Sequence, residues 1–192
     1  ARTARRPDGP LGPTAVLAPL CATGTEWSKP PALAALSTWL GAALDARTSA
    51  LRLDARCVFL TGPSMGGLGA WAWGAREPAR FAAVVPLCGG GRPVFAPRLH
   101  ATPCWFFHAA DDAAIGVEET DALVEALRGA GNARVRYTRY ERGAACAMGH
   151  GVKAVMMRGH DCWTAAFGET PELYAWLGQL AAARRADADA AA

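Results

Sequence analysis

Cys57-Val58-Phe59-Leu60-Thr61-Gly62-Pro63-Ser64-Met65-Gly66-Gly67 is a short apolar run that ends in a Gly-X-Ser-X-Gly-Gly turn. The apolar residues Cys57 to Leu60 have the length of a buried strand. After the turn, Leu68-Gly69-Ala70-Trp71-Ala72-Trp73-Gly74-Ala75-Arg76 can continue as a helix until Glu77-Pro78 stops it. Strand, sharp turn and helix form the frame of a nucleophile elbow. There a serine sits at the tip of a strained turn, and flanking glycines let the backbones pass closely. Ser64 is the candidate nucleophile. The competing reading is a glycine-rich turn with an incidental serine, and the two are separated by whether an acid and then a histidine follow in the chain.

Both follow, in that order. Thr102-Pro103-Cys104-Trp105-Phe106-Phe107-His108 is a strand candidate, and Asp111 and Asp112 lie just past its end, where open α/β sheets place functional groups. Either acid fits the role, and either could instead cap the helix that follows. Arg158-Gly159-His160-Asp161-Cys162-Trp163 then places a histidine in a loop ahead of a helical segment, free to reach Ser64 through space. His150, flanked by Gly149 and Gly151, competes with it. His108 is expected to pack or hydrogen-bond at its strand end, and His100 to lie at the surface.

Outward from these motifs the chain alternates strands and helices. Thr14-Ala15-Val16-Leu17-Ala18 reads as a short strand ending at Pro19. Pro31 suits a first helical turn, with Leu33, Leu36, Leu40 and Leu44 on one face behind it. Residues 82–87 form another apolar strand. Residues 117–128 read as a helix with Glu118, Glu119 and Asp121 at its start, Arg128 at its end and Gly129 as its stop. Residues 133–140 alternate and carry three arginines, as a strand near a sheet edge does. Thr170 and Pro171 open a last helix striped with Leu173, Leu177 and Leu180. Such alternation predicts an α/β fold, a mostly parallel sheet with helices on both faces. Residues 184–192, rich in alanine and aspartate, are expected to be a disordered tail.

Composition narrows the classes. A chain of 192 residues suits one domain with a proper core, and 52% hydrophobic with 19% charged residues is ordinary globular usage. A formal charge of +3 is too small to argue for nucleic acid, and Arg2, Arg5 and Arg6 read as a solvated end. No run of eighteen apolar residues calls for a membrane span. The six cysteines, at 21, 57, 88, 104, 146 and 162, lack Cys-X-X-Cys spacing, read as buried thiols and point to a cytoplasmic protein. Cys88 before three glycines reads as a tight turn, since no histidine or acid is placed to serve it. Gly89 to Gly91 lacks the Gly-Lys-Ser/Thr ending of a phosphate loop. No metal or other cofactor is implied.

From about Gly12 onward the chain resembles the serine-esterase branch of the α/β-hydrolases. That branch holds the phospholipase/carboxylesterase-like, polyhydroxyalkanoate-depolymerase-like and predicted-peptidase-like proteins. Leu60-Thr61-Gly62-Pro63-Ser64-Met65-Gly66-Gly67 looks like the group's elbow, and residues 81–91 look like its next strand and glycine turn. Phe107-His108-Ala109-Ala110-Asp111-Asp112 looks like its acid loop, with Ala109 where glycine is usual. Gly159-His160-Asp161-Cys162-Trp163-Thr164 looks like its histidine loop, a continuation that His150 lacks. The resemblance implies a Ser64, Asp112 and His160 triad acting on a small-molecule ester or thioester, with peptide cleavage as another activity found in the group. It also implies a backbone oxyanion donor at Met65. Trp27 and Trp163 are candidates to line a substrate pocket, and equally fit a plain core. Residues 143–158 read as an inserted, irregular loop. The group's leading strands and its His-Gly oxyanion loop have no counterpart, so the expectation is a domain over residues 1–183 that begins partway through the fold, and the missing segment and inserted loop leave a catalytically weak or inactive remnant of that fold as the alternative reading. About five parallel strands are expected, with an open sheet edge at the Thr14 strand.

Overall fold

The computed structural model describes residues 2–6, 11, 13–45, 53–144 and 159–190. In chain order the elements are β1 (Arg2–Arg6), β2 (Thr14–Ala18), α1 (Pro30–Leu44), β3 (Phe59–Pro63), α2 (Met65–Arg76), β4 (Ala83–Leu87), β5 (Cys104–Ala109), α3 (Val117–Gly129), β6 (Val135–Tyr140), α4 (Cys162–Gly168) and α5 (Pro171–Ala190). Strands β3, β4, β5 and β6 pair in parallel, in that order. The β4 and β5 residues are all buried, which is why these stretches read as continuous apolar runs instead of alternating ones.

Alternation appears in which layer each residue feeds. Val84, Cys104 and Phe106 pack with Leu33, Leu36 and Leu40 of α1, Trp71 and Trp73 of α2, and Leu123 and Leu127 of α3. Val85, Leu87, Trp105 and Phe107 pack on the other face with Cys162 and Ala166 of α4 and Leu173, Trp176 and Leu177 of α5. Helices therefore cover both faces, and the chain has the α/β-hydrolase architecture of a mostly parallel sheet. The β6 strand is a sheet edge. Its Arg136 guanidinium lies 5.0 Å over the Trp105 ring and 5.4 Å over Trp176, so an arginine on an edge strand also roofs apolar surface.

Several expectations need correction. The Thr14 strand does not extend the parallel sheet: β2 pairs antiparallel with β1 in a separate two-stranded sheet. Arg2–Arg6 is therefore a strand, not a loose solvated end, because main-chain pairing does not require apolar side chains. The parallel sheet has four strands among the described residues, and β3 lies at its other edge. Cys57 belongs to a 3-10 turn, Ala55–Cys57, opened by the Asp54 carboxylate accepting from the Arg56 amide, so the strand begins at Phe59. Finally, α5 runs on to Ala190 through the expected tail, since alanine is the strongest helix former and this stretch has no glycine or proline. Of the inserted loop, Gly143 and Ala144 lie in a turn, whereas residues 145–158, His150 among them, lie outside the described residues. No helix among the described residues is long and apolar enough to cross a membrane.

Candidate active site

The end of β3 turns into α2 at Ser64, whose backbone is held at φ 55 and ψ −121, a conformation that side-chain-bearing residues rarely adopt. Its amide donates to Leu87 O at 2.9 Å, and its carbonyl accepts from the Gly67 and Leu68 amides. The glycines make this turn sterically possible. A Cβ on Gly62 would lie 2.6 Å from the Gly66 carbonyl carbon, and one on Gly67 would lie 2.5 Å from Leu87 O. Met65 is the first residue of α2, so its amide has no acceptor within the helix.

Two strands along, the chain leaves β5 and turns back at Asp112. The Asp112 Oδ1 accepts from the Ala114 amide at 2.8 Å and the Ile115 amide at 2.9 Å, which fixes the carboxylate plane. Asp111 looks elsewhere: its Oδ2 accepts from the Gly143 amide at 3.2 Å. Past β6, Gly159 takes a φ of +70 against the Asp111 backbone, where a Cβ would lie 2.6 Å from the carbonyl carbon. His160 follows. Asp161 then caps α4, accepting from the Thr164 amide at 3.2 Å and its hydroxyl at 2.8 Å, so the histidine is held at the mouth of a short helix.

These three segments meet. The His160 Nε2 is 2.8 Å from Ser64 Oγ, and its Nδ1 is 2.7 Å from Asp112 Oδ2. The Asp112 side chain is fully enclosed and that of His160 is 3% exposed. Burial pushes the Asp112 carboxyl up, but hydrogen bonds from His108, His160 and the Ile115 and Ala114 amides outweigh it and hold it well below the usual carboxylate range. An ionised acceptor faces the imidazole, and the other ring nitrogen faces a hydroxyl. That arrangement can take a proton from Ser64 and stabilise the imidazolium formed.

The remaining candidates take different places. The Trp163 ring stands edge-on to His160 at a centroid distance of 5.6 Å. Trp27, in the loop before α1, packs against the core and against α2, where a Cβ on Gly69 would lie 2.5 Å from it. Cys88 is buried in a turn at φ 37. Its thiol is held protonated by a hydrogen bond with Cys162 and by burial, while burial alone pushes Cys104 up to about 12. The Cys88 sulfur and atoms of Asp112 and His160 lie within 4.8 Å of one another, but the last two already bond each other. His100 is exposed. His108 touches Asp112 through space, a contact the sequence does not specify; a histidine at a strand end four residues before an acid is the one signal for it.

No protein-family model matches the chain, and no curated protein matches it. Solved structures do. A thermostable esterase is 32% identical with a TM-score of 0.70, over 86% of this chain and 43% of that one. A dienelactone hydrolase, described as putative, from Klebsiella pneumoniae is 21% identical with a TM-score of 0.56, over 82% of this chain and 63% of that one. Arabidopsis thaliana SOBER1 is 17% identical with a TM-score of 0.50, over 79% and 66%. The chain thus spans less than half the length of the esterase it resembles. Sheet order and these likenesses together show that the chain has the α/β-hydrolase fold.

Proposed function

We propose that the chain is a serine hydrolase that cleaves carboxylic esters or thioesters. The observation that carries this is the unbroken hydrogen-bonded line from Ser64 Oγ through His160 to Asp112. In this reading Ser64 Oγ attacks the acyl carbon while His160 Nε2 takes its proton, and Asp112 holds the Nδ1–H and offsets the charge on the ring. The Met65 amide donates to the oxyanion as the carbonyl becomes tetrahedral. His160 then returns the proton to the leaving alcohol or thiol, and water, deprotonated by the same imidazole, releases the acid from Ser64. Trp163, edge-on to His160, lines the approach to the acyl carbon.

An ester is preferred over an amide because an alkoxide or thiolate leaves more readily than an amine and demands less protonation. The likeness to an esterase at 32% identity supports the same choice. Hydrolysis of short p-nitrophenyl esters tests it. Ser64→Ala and His160→Ala should each lower turnover by about 10⁴-fold or more with the far-UV circular dichroism unchanged. Turnover that survives Ser64→Ala would remove Ser64 from the reaction.

A further inference from the structure

Asp112 does not serve His160 alone. His108, fully buried at the end of β5, brings its Nε2 to 3.0 Å from the same Oδ2 that His160 uses, and to 3.0 Å from Ile115 O. Its Nδ1 is 2.8 Å from Thr120 Oγ1 on α3, and that hydroxyl is in turn 3.0 Å from Gly89 O. A carboxylate oxygen and a carbonyl oxygen are acceptors only, so Nε2 must carry a hydrogen. The Thr120 hydroxyl, which donates to Gly89 O, holds the other edge of the ring at Nδ1.

We propose that His108 is a positioning residue for Ser64 and His160, its Nε2–H keeping the shared Asp112 Oδ2 ionised and aimed at His160 Nδ1. This rests on the reading of Ser64 as the nucleophile. The physical need is specific. Asp112 is enclosed, and its Oδ1 is already committed to two amides, so Oδ2 is the only oxygen left to hold His160. With a single donor on Oδ2, the enclosed carboxylate would compete harder for the proton on His160 Nδ1. It could then draw the ring out of line with Ser64. A second donor lowers that competition without blocking the first. A pure packing role for His108 would need neither nitrogen.

The test exploits amide geometry. The glutamine side-chain nitrogen sits about where imidazole Nε2 does and carries two hydrogens, one for each acceptor, whereas the asparagine nitrogen corresponds to Nδ1 and falls short of Asp112. The readout is the second-order rate at which a fluorophosphonate labels Ser64: the Oγ–phosphorus bond forms, fluoride leaves and His160 takes the serine proton. His108→Gln should label within about threefold of the wild-type rate. His108→Asn and His108→Leu should label about 10- to 100-fold more slowly while keeping their far-UV spectra. Should the leucine variant fail to fold, the two polar variants decide between themselves. Wild-type rates in His108→Asn, or a folded His108→Gln as slow as the asparagine variant, would overturn the role. Failure of the wild-type chain to label at Ser64 would instead overturn the assignment of the nucleophile.

Discussion

Asp112 is where the hydrogen bonds of the candidate site converge. Its oxygens take hydrogen bonds from two backbone amides and two imidazoles, and its carboxyl is held below the usual carboxylate range although burial opposes this. A carboxyl whose folded value is depressed binds its proton first in the unfolded chain. Its stabilising contribution is therefore complete above the unfolded value of about 3.9 and is lost as pH falls below that toward the folded value. Unfolding free energy measured by denaturant titration should drop for the wild type as pH falls from about 4 toward 2, and drop less steeply for Asp112→Asn. Equal slopes would mean that Asp112 is not held ionised by its partners. What the sequence showed of this site was the order serine, acid, histidine. The second imidazole on Asp112 was not legible, because it depends on how tightly the loop after β5 turns back.

At the scale of elements, the elbow shows how local sequence sets a site. Gly67 faces Leu87 O, a backbone atom that cannot rotate away, so Gly67→Ala must shift either α2 or the turn after β4. The cost should be about 1–3 kcal/mol or more, with loss of activity. By contrast, a Cβ added at Gly41 in α1 or at Gly178 in α5 would meet nothing within 4 Å, and alanine there should stabilise by about 0.5–1 kcal/mol. Thermal unfolding of the three variants checks both signs, and a neutral Gly67→Ala would refute the packing account of the elbow. Asp161→Ala should cost about 1 kcal/mol through its lost cap on α4 and slow the reaction by loosening His160. Helices α1, α2 and α3 were legible from their stripes, stops and dipole charges. Strand β1 was not, because its pairing is made by main-chain groups and leaves no apolar period in Arg2–Arg6.

Across the whole molecule, the reaction groups come from chain positions far apart and are gathered at one end of a parallel sheet. Strands β4 and β5 are enclosed by both helix layers, while β3 and β6 are its edges. Amide hydrogen exchange should be slowest over Ala83–Leu87 and Cys104–Ala109 and faster at β6, and a β6 as protected as β5 would contradict the layer assignment. Layering was legible in the alternation of strands and helices, because runs such as 82–87 have no polar face. The separation of β2 from the parallel sheet was not, since a short strand does not encode which neighbour it pairs with. On the proposed mechanism, this fold activates one serine among several. Peptide mapping after reaction with a fluorophosphonate is the direct test and should find an adduct on Ser64, lost in His160→Ala. Adducts on other serines with none on Ser64, or unchanged labelling of Ser64 without His160, would contradict it.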